Sequence, residues 1–470
     1  MSGVGGPGGA VASAGVETRN WYGDLVSYVQ SVTEARSVDD VVAVVQDRER
    51  YPSPVRARGS GHSTTRCVEA DGGTVIDLRK LNRIVDIGPD TVTAEAGALY
   101  IDVAKELERN NLQFYVNIEL GNMTMGSAAC TATKDASMPG EFGQVNSYCV
   151  GMKIVTPSGE LLEVTEADPE LLQVARSSYG LLGIVYEATF RVRPLQAMSV
   201  EHRVYRLDEF AETLPQLIAR GESMMMYIFP YLDRIGVEFR RYTGDESAAL
   251  DSGAPNRRVW KLRNFAWKSF GPGLGYLAER YVSSSRVRYS LVNGVNRLMQ
   301  QLMTRVLTGR HTVPTDQMIR YPHASGWTRY TFSIWAFPEE GYADTLREYF
   351  RFARAYYRDR GWRPNLLHVG YRIERDTSSL FSYSCDGTVL TIDPVSTGAP
   401  GWKEYLAAYN EFCSEHGGKP LFNQTWGITP EQARRAFGDR LDTFEQHRKR
   451  IDPDDRFLNE YFKTLLTGAS

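Results

Sequence analysis

The spacing of apolar residues changes period several times along the chain, and each change predicts an element. Residues 37–50, SVDDVVAVVQDRER, set valines at helical spacing behind a Ser/Asp start, which predicts an amphipathic helix. Val55 to Arg58 then reads as a short strand running into a glycine turn. TVIDL, RIVDI and TVTAEAG alternate as strands do, whereas YIDVAKELERNN gathers its apolar positions on one helical face.

A second glycine-containing run, GNMTMGSAACTATKDASMPGEFGQVNSYCVGMKIVTPSGELLEV, ends in strand, PSGE turn and strand. DPELLQVARSSY predicts a helix, and GLLGIVYEATFRVRP a tight turn feeding a strand that Pro194 closes. Beyond it the strands carry aromatics, as in MMMYIFP, RYTFSIWAFP and TVLTIDP, between long helices. A polar helix is expected over PEQARRAFGDRLDTFEQHRKR, stopped by an Asp-Pro turn. The expected fold class is α+β, divided into a tail over 1–17, a first domain over 18–195, a second α+β domain with an antiparallel sheet over 196–415, and a C-terminal segment over 416–470 that returns to the first domain.

Composition narrows the class of protein. With 42% hydrophobic and 24% charged residues over 470 positions, disordered and fibrous chains are excluded and two or three domains are expected. Five cysteines with no CxxC pair predict neither a disulfide framework nor a zinc site, and they favour a reducing, cytoplasmic setting. No metal is expected. No apolar run approaches the ~18 residues of a membrane span, and the Gly/Ala-rich start lacks the basic residues of a signal peptide.

The net charge of −3 is unevenly placed. Asn256 to Arg310 holds eleven Lys/Arg against Glu279 alone, a local +10 that leaves −13 elsewhere. Interleaved with Trp260, Phe265, Trp267, Phe270, Tyr276 and Tyr281, this segment has the pattern of helices lying on an anionic membrane, so peripheral contact through 256–310 is one expectation. A solvated face packed on its own domain is the other. No nucleic-acid reading module accompanies the charge, and nucleic acid is not expected as a partner.

Two stretches carry candidate chemistry. In Arg58-Gly59-Ser60-Gly61-His62-Ser63, glycines permit the backbone to curl its N–H groups into a nest for phosphate, although a tight surface turn reads the same residues. The dinucleotide fingerprint GxGxxG opening a helix is absent. The polar cluster HVGYRIERD alternates so that His368, Arg372 and Glu374 share one strand face, with Tyr371, Ile373 and Arg375 on the other. An ion-paired edge is the bland reading of that cluster.

The loop RGSGHS with VIDLRKLNRI behind it, AEAGALYIDVAKEL, GNMTMGSAACTAT, VGMKIVTPSGELLEVT, GLLGIVYEATFRVRP and RIDPDDRFLNEYF occur in an order that resembles the vanillyl-alcohol oxidase/p-cresol methylhydroxylase flavoproteins, nearest their sugar-lactone and alditol oxidase branch. The resemblance implies a two-subdomain FAD-binding domain followed by a substrate-binding cap. It implies FAD held by residues 58–63, by Gly121, Thr124, Gly126, Ser127 and Thr131, by Gly183, Ile184 and Val185, and by Asn459. It further implies a covalent bond from His62 to the flavin 8α carbon, and Asn122, standing where some relatives have a second linking cysteine, implies one bond only. Cys130 is expected to be a small packed residue.

For chemistry, Arg372-Ile373-Glu374 resembles in reverse the Glu-Ile-Arg triplet of those oxidases, with His368 beside it. Gln424 stands where they carry a lysine, and Thr133-Lys134-Asp135 replaces their Thr-His-Gly. The expectation is an FAD-linked oxidase or dehydrogenase that passes hydride from a CH–OH group to the flavin and electrons on to O2 or a quinone-like acceptor. The substrate is expected to be a small molecule, greasier than a sugar. A flavin-dependent C=C reductase and a non-catalytic, flavin-bound membrane-associated protein are the alternatives.

Overall fold

A computed structural model describes residues 15–243, 254–321 and 327–468. Ser31–Glu34, Thr74–Asp77 and Val55–Arg58 form a small parallel sheet with Thr74–Asp77 in the middle. Parallel pairing requires a crossover, and the predicted helix supplies it as Val38–Gln46. Ser37 and Asp40 close a capping box at its start, and Val41, Val44 and Val45 pack on Val55 and Ile76. Residues 1–14 of the expected tail lie outside the described residues, while Val16–Arg19 is a strand paired with Val26–Val29.

A second sheet runs Leu161–Thr165, Cys149–Val155, Ile184–Pro194, Thr91–Glu95, Ile84–Ile87, all antiparallel, with Leu112–Phe114 also on the long third strand. The second glycine run contains a helix absent from the sequence reading, Met125–Cys130, whose Met125, Ala128 and Ala129 are buried. Small residues here let the helix sit close to the sheet: Gly126 lies where a Cβ would come within 2.9 Å of the Ala96 Cβ.

The third sheet has eight antiparallel strands, in the order Arg310–Thr312, Met198–Arg206, Arg234–Tyr242, Ser223–Phe229, His368–Ile373, Val389–Ile392, Trp335–Pro338, Lys419–Pro420. RYTFSIWAFP is not one strand but two, Thr331–Phe332 and Trp335–Pro338. One face of the sheet is covered by the Leu207–Ala219 and Tyr342–Arg360 helices, with Tyr349 against His368. Facing the other side are the helices Ala254–Phe265, Gly271–Tyr281 and Ser285–Val306, the first two joined by a π-helical turn at Ala266–Phe270.

The C-terminal polar helix is also two, Pro430–Phe437 and Arg440–Ile451, because the chain turns at Gly438 with φ +51°. Beyond them the tail locks onto the parallel sheet. The fully buried Arg456 donates to the carbonyls of Val44, Val45 and Tyr51, and its own carbonyl accepts from Val55 N. No helix among the described residues is long and apolar enough to cross a membrane.

Candidate active site

The strand Val55–Arg58 delivers the glycine loop into a cavity between the sheets. Gly59 is required by crowding: a Cβ there would stand 2.3 Å from Thr124 Oγ1. Gly61 is required by backbone sign, with φ +74°. A single left-handed residue thus turns the loop, fewer than a run of curled amides would need. Arg58 Nη2 donates to the Arg19 carbonyl at 2.6 Å, and Trp21 N donates to the Gly61 carbonyl at 2.6 Å. Residues 422–424 clasp the far end, where Thr64 N donates to Asn423 O, Thr65 Oγ1 to Phe422 O, and Gln424 Nε2 reaches His62 O at 3.4 Å.

His62 lines the cavity and stacks on Trp21, with ring centroids 5.0 Å apart. Its Nε2 is buried without a hydrogen-bond partner. Burial pushes the imidazole down to about 4, so it is neutral throughout the physiological range and keeps a free lone pair.

The cavity has two limbs that share Gly59, Ser63, Thr124 and Ser127. The narrow limb is walled by small or backbone-presenting positions, among them Gly126, Thr131, Gly180, Gly183 and Val185. Arg56, which the sequence reading passed over as an ordinary strand residue, also lines it. Its guanidinium is held by the carbonyls of Cys67, Tyr179, Gly180 and Phe457, touches no carboxylate, and leaves Nε unpartnered. Taken together, a close-packed limb with an uncompensated buried cation and a wider limb bearing an orphaned imidazole fit a dinucleotide with a planar ring at one end.

The wide limb encloses about 1710 Å³ of empty space, its solvent-facing mouth included. Most of its wall is apolar, with Met225, Trp267, Met299, Phe332, Ile334 and Leu367 prominent. Two polar clusters interrupt it: Glu119, which accepts from Tyr321 Oη at 2.6 Å and pairs with Arg263, and the group around Lys134. Lys134 Nζ donates to Asp393 Oδ2 at 2.6 Å and lies 3.8 Å from the centre of the Tyr371 ring. All three residues line the cavity. Burial lowers the lysine and raises Asp393 to about 6, while each partner's charge opposes the other's shift. Asp393 Oδ1 has no partner.

This placement corrects the expected catalytic face. The alternation read in HVGYRIERD is present, but Val369 and Tyr371 look into the cavity. His368 looks the other way, fully buried against Tyr349 with both ring nitrogens unpartnered. Arg372 pairs with Glu339 and Glu374 near the end of its strand, and none of His368, Arg372 and Glu374 lines the cavity. The register Met225↔Tyr371 fixes the choice, because Met225 is on the cavity side and partners across a ladder share a face. Asp393 was not legible at all, since it meets Lys134 across 259 residues and reaches the strand through a bridge to Val369.

Other expected positions divide likewise. Arg58, Ser60, Gly61, Ser63, Thr124, Ser127 and Gln424 line the wide limb, and Gly126, Thr131, Gly183 and Val185 the narrow one. Ile184 turns into the core beside Val155 and Phe457. Gly121 does not reach the cavity either; its smallness serves packing, since a Cβ would stand 2.9 Å from Ile101. Asn459 acts at one remove, donating to the carbonyls of Arg66, Cys67 and Glu69 behind the loop. Asn122 is engaged by the Tyr321 backbone, and Cys130 packs in the narrow limb with Sγ on Gly126 O.

Residues 29–165 match the FAD binding domain family. With the two-limbed cavity beneath an antiparallel cap, they define an FAD-linked oxidoreductase with the vanillyl-alcohol oxidase fold. Residues 188–465 match the D-arabinono-1,4-lactone oxidase family, and the chain belongs to that family. Along its length it is 24% identical to the L-gulono-1,4-lactone dehydrogenase of Mycobacterium tuberculosis, covering 95% of this chain and 98% of that one. It is 23% identical to the L-gulonolactone oxidase of Bos taurus, covering 96% and 98%. Among solved structures, cholesterol oxidase from B. sterolicum superposes with a TM-score of 0.67 at 15% identity, covering 99% and 100%. A solvent-stable cholesterol oxidase gives 0.70 at 17%, covering 96% and 98%. Both likenesses concern the fold.

Proposed function

We propose that this protein oxidises a CH–OH group on a largely apolar alcohol, with FAD linked covalently through His62. The carrying observation is the buried ion pair Lys134–Asp393, set in a largely apolar wall of the cavity that also holds the unpartnered imidazole. FAD, when bound, supplies the two-electron acceptor for hydride. Asp393 is suited to take the hydroxyl proton, since its carboxylate is buried, half-satisfied and raised toward neutrality. The Lys134 ammonium holds that carboxylate in place and supplies positive charge on the same wall, work that Tyr371 supports by offering its ring face to the cation.

His62 is set up as a nucleophile by the same burial that keeps it neutral, and Trp21 fixes the plane of its ring. Gln424, where the lactone and alditol oxidases carry lysine, is spent on the loop: its Oε1 lies 3.3 Å from Thr64 Oγ1. A polyhydroxylated substrate would set hydroxyls against Met225, Trp267, Met299 and Phe332, which offer them no partner, whereas an alkyl or alicyclic alcohol fits that side of the wall. The test is anaerobic mixing of the purified flavoprotein with a panel of apolar alcohols and sugar lactones while the flavin absorbance is followed. Bleaching by apolar alcohols supports the proposal; bleaching by lactones alone overturns its substrate class. Oxygen consumption by the same mixtures then separates an oxidase from a dehydrogenase.

A further inference from the structure

Nine of the fifteen large hydrophobic side chains that are exposed among the described residues fall between Leu262 and Trp327. On the Ser285–Val306 helix they form a stripe: Val287, Leu291, Leu298 and Leu302 recur at intervals of four, seven and four residues, which keeps them within a quarter of the helix circumference. Leu291 is 49% and Leu298 60% exposed. Arg286 and Arg297 run along one flank of the stripe, and both are exposed. Ahead of this helix, Leu262, Phe265, Phe270 and Tyr281 are exposed as well, Tyr281 at 71%.

The cations of the segment divide by role. Arg257 pairs with Glu108, Arg263 with Glu119 and Arg288 with Glu279, which ties the helices to the body and to each other. Arg258, Lys261, Lys268, Arg286, Arg297 and Arg305 have no carboxylate partner among the described residues. An apolar stripe this exposed is not the solvated face of a soluble helix, and unpaired cations around it select a negative partner. A second copy of the chain would bring the same +10 segment against itself.

We infer that the helices of residues 257–306 form a docking face for an anionic phospholipid bilayer, the aliphatic stripe and aromatics entering the interface while the unpaired cations meet the headgroups. The same helices build the outer wall of the cavity, through Ala266, Trp267, Gly271, Pro272, Val295 and Met299. On the Ser285–Val306 helix Val295 and Met299 stand next to the exposed stripe around the axis. Docking therefore sets the cavity wall against the membrane. Where the cavity takes an apolar alcohol, a consequence that rests on the reading above, the bilayer is its source.

The test is flotation of the full-length protein with phosphatidylcholine vesicles with and without phosphatidylglycerol, alongside Leu291→Glu/Leu298→Glu, Arg286→Glu/Arg297→Glu and, as a control on another surface, Leu161→Glu. Flavin absorbance and circular dichroism verify folding. The inference predicts flotation only with phosphatidylglycerol at low salt, at least a roughly tenfold loss of partitioning in each double variant, and none in the control. No flotation of the wild type, or flotation of both double variants at the wild-type level, would overturn it. So would a wild-type dimer in light scattering that Leu291→Glu/Leu298→Glu converts to monomer, because a second copy would then be the occupant. Turnover of detergent-dispersed alcohol is read separately, so that failure to dock and failure of the proposed chemistry remain distinct.

Discussion

The glycine-loop cradle and the polar spot under the cap sheet are built in opposite ways. In the cradle, contiguous residues 58–63 are shaped by backbone demands, namely the 2.3 Å that a Gly59 Cβ would leave to Thr124 and the left-handed Gly61. Under the cap, Lys134 comes from a stretch far from Tyr371 and Asp393, and the three meet only in the folded chain. The loop that presents His62 is thus shaped by its own short sequence, whereas the polar cluster under the cap is assembled by the topology of the chain.

The comparison predicts that the two regions fail separately. Asp393→Asn is expected to lower kcat by roughly 10²–10⁴-fold, the usual range for a lost general base, while stopped-flow samples keep their flavin absorbance. Gly59→Ala should do the reverse, reducing FAD retained after gel filtration by about tenfold or more, since overpacking of this kind costs ~1–3 kcal/mol. Adding Thr124→Ala should restore part of the loss. Equal loss of flavin in both single variants would merge the two regions and refute the division.

A pH profile sharpens it further. Asp393 is raised to about 6 in the folded protein, so below that pH it is protonated and unable to accept the substrate proton. The account predicts that kcat/KM falls about tenfold per pH unit below 6 and levels off above it, and that Asp393→Asn flattens the limb. The smallest effect is expected at Arg372→Gln and Glu374→Gln, whose ion pairs sit near the end of their strand, outside the cavity. Each should change kcat/KM less than about threefold, in keeping with the weak coupling of partly solvated pairs.

The same contrast explains what could be read from sequence. The Val38–Gln46 helix, the Val55–Arg58 strand, the glycine loop and the Ile184–Pro194 strand all declare themselves by period or turn chemistry within a few residues. Gly121 misled because a packing glycine and a cofactor-facing glycine look alike until Ile101 is seen against it. The alternation of His368 to Arg375 was legible, but the side facing the cavity depends on the Met225↔Tyr371 register, which couples residues 146 positions apart. Lys134 stood out only as a departure from Thr-His-Gly, and its meaning required Asp393. The break at Gly438 was written in the sequence as a glycine within a polar helix and could have been taken.

His62 is where the two regions meet, a cradle residue facing the reactive end of the cavity. Trypsin cutting after Arg58 and Arg66 releases Gly59–Arg66, a peptide whose only histidine is His62. Mass spectrometry of the denatured, digested protein should find this peptide carrying the mass of the flavin, and His62→Ala should release all FAD to the acid supernatant. An unmodified Gly59–Arg66 peptide from wild-type protein purified yellow would contradict the account.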